Sequence, residues 1–169
     1  MDTFPGTDER IQQVVDGVTA FPGVSAAPHR YGGTEFRLGS REVGHVHRWG
    51  AVDVAFTRRL RDAFVEEGWT GPHHVYPDSG WTTFRVVTDG DVARALALLE
   101  LSYCYHRLTL GDRLRHLPPF AVRDALDRLA PSAGVRAIFA ALEGDDESSL
   151  DPRDAAPNHG PPRPGDGLA

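Results

Sequence analysis

The dipeptide Gly39-Ser40 constrains the fold more than any other short stretch. It joins residues 34–38 to residues 41–47, two segments of strand-like composition. A glycine opening a two-residue loop suits a type II′ hairpin turn. Such a loop sets Leu38 opposite Arg41, Arg37 opposite Glu42, Phe36 opposite Val43 and Thr34 opposite His45. Directly opposed residues share a sheet face. One face is therefore expected to carry Arg37, Glu42, Glu35 and Val46 toward solvent. The other is expected to carry Phe36, Leu38, Val43, His45 and His47 toward the core or a pocket in it. On this register Glu42 is no partner of the histidines. A slip of one residue exchanges the two faces.

The remaining chain supplies helices and further short strands. Thr7 or Asp8 can cap a helix carrying Ile11, Val14, Val15 and Val18 at helical spacing, stopped by Phe21-Pro22-Gly23. Residues 24–30 read as an edge strand because of Pro28. Residues 51–56 read as a brief extended piece and 57–67 as a helix ended by Gly68. Residues 69–72 read as a loop, 73–76 as a short strand, 77–80 as a turn and 81–87 as a strand. Thr88-Asp-Gly-Asp91 opens a helix in capping-box fashion. It runs to about Arg107 with Val92, Ala95, Leu96, Leu99 and Tyr103 on one side. After a linker over 108–119, shorter helices are expected over 120–129 and around Val135 to Leu142. The fold class is α+β: a mostly antiparallel sheet of four to five strands with helices packed on one face. Residues 1–142 form one domain, with a core over 21–106 and a helical extension over 108–142. The acidic, Pro- and Gly-rich residues 143–169 read as a disordered tail.

Composition closes off several classes of function. A net charge of -6 with scattered arginines leaves no basic stripe, so no nucleic-acid partner is expected. No apolar run is long enough to span a membrane, and the polar N-terminus does not read as a signal peptide, so a cytoplasmic location is expected. The single cysteine, Cys104, excludes an intramolecular disulfide and reads as a buried, inert thiol. No G-x-G-x-x-G, Walker loop, H-E-x-x-H or C-x-x-C motif is present, so no nucleotide or flavin cofactor is expected.

Four of the eight histidines fall in two short segments, His45-Val-His47 and His73-His74. Alternation along a strand puts His45 and His47 on one face. His45, His47 and His73 are the catalytic candidates: one imidazole as a general base near neutral pH, another steadying an oxyanion. The same three rings could instead hold a divalent metal. His74, Trp49, Trp81, Ser79 and Tyr76 are the candidate substrate contacts, and Trp69 could join an aromatic lining. Ser79 lacks the surroundings of a nucleophile elbow and suits a turn.

Several of these runs together resemble a known family. They are Pro22-Gly-Val24, Arg30-Tyr-Gly-Gly-Thr-Glu-Phe-Arg37, Glu42-Val-Gly-His-Val-His47, Gly68-Trp69, His73-His74, Ser79-Gly-Trp81 and Leu98-Leu-Glu-Leu-Ser-Tyr103. They resemble bacterial "luciferase family" proteins, which share a domain with fungal luciferase. The likeness covers about residues 21–106. It implies a small-molecule enzyme that oxygenates an enolic, aromatic-like substrate with dioxygen and without a cofactor. His45 or His47 would take the proton while Trp81 and Trp49 shield the ring. A metal-dependent hydrolase or lyase using the same histidines, and a non-catalytic binding module, are the other readings that the residues allow.

Overall fold

The computed structural model describes residues 6–144. Its elements in chain order are α1 (Thr7–Thr19), β1 (Val24–Pro28), β2 (Thr34–Leu38), β3 (Arg41–Val46), β4 (Ala51–Ala55), α2 (Arg58–Glu66), β5 (Gly71–Pro72), β6 (Trp81–Arg85), α3 (Asp89–Leu110), a 3-10 turn (Gly111–Leu114), α4 (Val122–Leu129) and α5 (Ala133–Gly144). The strands form one sheet in the order β1-β2-β3-β4-β6-β5, every neighbouring pair antiparallel. The fold is α+β, with six strands where four to five are expected from the sequence. The additional strand is β4, which reads in the sequence only as a brief extended piece, while β5 stands in for the short strand expected over 73–76. β5 lies one step ahead of the expected strand, in the segment that reads as a loop, and His73 to Tyr76 belong to the bend after it.

Local chemistry explains most boundaries. Thr57 caps α2, its hydroxyl accepting the Leu60 N–H at 3.1 Å. Asp91 closes the start of α3, accepting from the Thr88 N–H at 2.7 Å and the Thr88 hydroxyl at 2.9 Å. α3 continues three residues beyond Arg107 before Gly111 ends it. The cap of α1 is Gly6 and not Thr7 or Asp8; Thr7 is buried in the first turn. Pro28 lies on the edge strand β1, where a missing N–H breaks no interior ladder. Of the predicted tail, residues 145–169 lie outside the described residues, while Glu143 and Gly144 end α5.

The hairpin turn is where the sequence places it, but the register holds for only two pairs. Leu38 faces Arg41 and Arg37 faces Glu42; then Phe36 faces Gly44, Glu35 faces His45 and Thr34 faces Val46. Val43 is the extra residue of a β-bulge. The bulge frees its carbonyl, and the buried Ser102 hydroxyl of α3 bridges it, 2.9 Å from Val43 O and 2.7 Å from Ala55 O. The inserted residue reverses the faces beyond it. Val46 turns to the core with Phe36, Leu38, Val43, Val52 and Val54, beneath Leu98 and Leu99 of α3. His45 and His47 turn to the opposite face, the reverse of the hairpin expectation.

Gly44 permits the close seating of α3. A Cβ there would stand 2.6 Å from the Asp53 carbonyl oxygen and 2.7 Å from Leu99 Cδ2. Gly44→Ala is expected to destabilise the protein by roughly 2 kcal/mol or more, because strand and helix must both give way. A lowered urea midpoint with an unchanged slope would report it.

Candidate active site

The face of the sheet away from α3 gathers five histidines around one aspartate. Asp53 sits in the middle of β4, fully buried, opposite His45 on β3 and Thr83 on β6. Its oxygen Oδ2 lies 2.8 Å from His47 Nε2, 3.1 Å from His45 Nε2 and 3.4 Å from His73 Nε2. Oδ1 accepts the Thr83 hydroxyl and lies 3.5 Å from His74 Nδ1. Burying a carboxylate costs several kcal/mol unless donors surround it, and here every close polar neighbour can donate. Burial works to raise its pKa, but the hydrogen bonds from His45 and His47, with the His73 N–H close by, outweigh it and hold the carboxyl well below the usual carboxylate range.

Hydrogen bonding fixes the state of each ring. His45 faces Asp53 with Nε2 and Glu42 with Nδ1, the latter at 2.7 Å. Two carboxylates can only accept, so the ring is a doubly protonated imidazolium. Burial opposes that charge, yet the bonds to Asp53 and Glu42 prevail and raise its pKa to about 9. Glu42, which the predicted register removes from the site, is thus its outer partner, brought round by the bulge. His73 Nδ1 receives the backbone N–H groups of Val75 and Tyr76 at 3.2 and 3.0 Å. Its proton therefore resides on Nε2, aimed at Asp53. The Thr83 hydroxyl spends its proton on Asp53, so its oxygen must accept from His74 Nδ1 at 3.0 Å. This leaves His74 Nε2 with a lone pair. Burial and the neighbouring His73 lower the His74 pKa against the pull of Asp53, so the ring is neutral near pH 7.

Rings pack the surroundings. His29 stacks on His45 at 3.9 Å, and burial together with the charge on His45 lowers its pKa to about 4. The loop carrying it closes tightly on β3: a Cβ on Gly33 (φ 89°) would meet the Val46 carbonyl oxygen at 2.0 Å. Trp81 lies 5.5 Å from His45 and 6.4 Å from His73. Trp49 stacks on His47 at 5.3 Å, meets His74 edge-on at 5.7 Å and carries the Arg85 guanidinium 4.5 Å above its ring. Tyr76 stacks on His73 at 5.7 Å. Ser79 is spent on its turn, donating to the Tyr76 carbonyl at 2.7 Å and accepting from the Trp81 N–H at 3.2 Å.

The expected histidines and the pair Trp49 and Trp81 thus meet in one place, whereas Trp69 packs on Phe64 in the helical core. Cys104 is buried in that core too, where burial pushes its thiol up to about 12. Asp53, Thr83, His29 and Arg85 escape the sequence reading. Asp53 had a signal: in Ala51-Val-Asp-Val-Ala55 the valines alternate with small residues, so Asp53 must face away from them. Cavities of about 230 Å³ by Arg136 and Phe139 and about 520 Å³ by Arg59 and Ile138 are lined by no histidine. Of the four histidines around Asp53, His74 is the exposed one, with the half-buried Trp49 beside it.

Fold and site together define an α+β domain built around a histidine–carboxylate centre. Residues 40–102 match the family model described as Luciferase domain, and the chain carries a luciferase-like domain over that segment. The match takes in Glu42, His45, His47, Asp53, His73, His74 and Trp81; His29 and β1–β2 lie outside it. No curated protein and no solved structure matches the chain. No helix among the described residues is long and apolar enough to cross a membrane.

The charge state of His45 makes stability depend on pH. Its pKa is raised by folding from 6.5 to about 9. The stabilisation is therefore fully present below about pH 6.5 and gone once the pH has risen through about 9. His29 and His106, both held near 4 chiefly by burial, act oppositely. They are neutral when folded but charged in the unfolded chain below 6.5, so stability falls as the pH drops toward 4. Denaturation with a chelator present should show a maximum near pH 6.5, and Glu42→Gln should flatten the alkaline limb.

Proposed function

We propose that this protein is an oxygenase-type enzyme that deprotonates an enolisable, aromatic-like small molecule at His74 and lets the resulting carbanion take up dioxygen, with no organic cofactor. The reading rests on one observation: Thr83 and Asp53 lock His74 in the tautomer that leaves Nε2 unprotonated, on a side chain 31% exposed. A general base needs a lone pair within reach of substrate and a pKa below the working pH. His45 is protonated on both nitrogens, and His73 has its lone pair committed to backbone. His47 keeps Nδ1 but lies deeper, 8% exposed.

The steps balance. The substrate proton passes to His74 Nε2, and the electron pair left on carbon forms a C–O bond to dioxygen. The peroxide anion then takes the proton back, giving a hydroperoxide of substrate plus O₂. Arg85, above Trp49, offsets the negative charge of the enolate. Trp49 excludes water from one side of the reacting carbon. The luciferase-like domain supports this class of reaction and leaves the substrate open. Oxygen uptake with 2-pyrones and β-dicarbonyl polyketides tests it. Saturable uptake is expected with free enols and none with their O-methyl ethers. A panel that consumes no oxygen above the protein-free rate would sink the proposal.

A further inference from the structure

His74 as the base leaves the inner half of the cluster without a task. We propose that His45 Nε2, His47 Nε2 and Asp53 Oδ2 hold one divalent cation, and that the ion is ferrous iron. The site stands on its own geometry; the choice of iron rests on the oxygenase reading.

The three ligand atoms lie within 4.8 Å of one another, with Asp53 Oδ2 at 2.8 Å from His47 Nε2 and 3.1 Å from His45 Nε2. Neighbouring ligands bound at about 2.1 Å to one ion stand roughly 3 Å apart. The three side chains are held from several sides: His45 and Asp53 face each other across β3 and β4, His47 follows β3 with its N–H on the Ala51 carbonyl at 2.8 Å, and His29 and Trp49 stack on the two imidazoles. Glu42 adds a second, independent mark. It receives the Nδ1–H of His45 at 2.7 Å, the carboxylate–histidine pairing that orients metal-bound imidazoles. The Thr83 hydroxyl occupies Oδ1 and leaves Oδ2 as the ligand oxygen.

The ligand set differs from the all-histidine one expected from the sequence. Without the ion, the Nε2 atoms of His45 and His47 carry protons toward Asp53; binding would displace them, His45 keeping its Nδ1–H on Glu42 and His47 carrying its proton on Nδ1 instead. His73 cannot make this exchange, because its Nδ1 accepts two backbone N–H groups and its proton must stay on Nε2. Its Nε2–H has no partner within ordinary hydrogen-bonding geometry and points at Asp53, 3.4 Å away. Two imidazoles and one carboxylate, with no thiolate, are the donors of ferrous oxygenase centres, which keep coordination positions open for substrate and dioxygen. His74 stands just outside, its ring 5.8 Å from that of His47.

The test is binding, measured apart from turnover. Untagged full-length protein is stripped with a chelator and titrated anaerobically with Fe(II), then with Co(II) as an absorbing probe. One ion per chain is expected. His47→Gln and Asp53→Asn should abolish binding, and Glu42→Gln should weaken it about 10- to 100-fold. His74→Ala, and His116→Ala at an exposed histidine, should bind as the parent does. Far-UV circular dichroism checks that each variant is folded; if Asp53→Asn is not, His47→Gln and Glu42→Gln decide. Absence of saturable binding, or equal binding by parent, His47→Gln and Glu42→Gln, overturns the inference. Oxygen uptake lost in His74→Ala while iron binding persists separates the two proposals: either can fail with the other intact.

Discussion

Asp53→Asn is expected to cost about 3–5 kcal/mol of stability, the usual penalty for removing one member of a buried ionic network. In a domain of this size that lowers the melting temperature by roughly 10 °C. The asparagine side chain is nearly the same size, so packing is not the cause. The cause is that Asp53 meets only donors: His45, His47, His73 and Thr83. An amide offers one acceptor oxygen and turns its NH₂ group toward hydrogens. His45 loses one of the two carboxylates that keep it charged, and its pKa should fall from about 9. A thermal melt, with the C2–H proton shift of His45 followed by NMR against pH, would show both effects. Stability within about 1 kcal/mol of the parent would mean that Asp53 is not the centre of the cluster.

His74→Ala should have the opposite profile, a large loss of oxygen uptake with little loss of stability. Removing a general base lowers rates by about 10²- to 10⁴-fold. The side chain is partly exposed and outside the apolar core, so the stability change should stay near 0.5 kcal/mol. Thr83→Val probes the same step from behind. It removes the oxygen that fixes the His74 tautomer, so uptake should fall while the imidazole is still present. A His74→Ala protein that turns over at the parental rate would move the base elsewhere, and His47 Nδ1 is the next nitrogen with a lone pair.

Much of the fold is legible in local chemistry. The capping box of α3 and the turn at Gly39-Ser40 are each written within a few consecutive residues, whereas the one-sided stripe expected for α3 is not what forms: Leu98 to His106 are buried on every side of the helix. The edge position of β1 follows from a single proline. The two-residue strand β5 is not legible, because it exists only through pairing with β6. The site was legible as a set of histidines and less so as a geometry. A carboxylate between two valines carries no motif. Its role depends on what β3 and β6 bring beside it.

The bulge at Val43 separates the two levels most clearly. That β2 and β3 form a hairpin, and that His45 and His47 share a face, is legible along the chain. Both follow from turn chemistry and strand periodicity, which act over a few residues. Tertiary structure decided which face. Gly44 lets α3 approach the sheet, and Ser102 sets its one hydroxyl proton between the carbonyls of Val43 in the bulge and Ala55 at the end of β4. With one extra residue accommodated, Val46 enters the core and the histidines leave it. Glu42, whose side chain alternation alone would set apart from His45, ends 2.7 Å from its ring. The outcome was set by packing energy between residues some 60 positions apart, which no window along the chain contains.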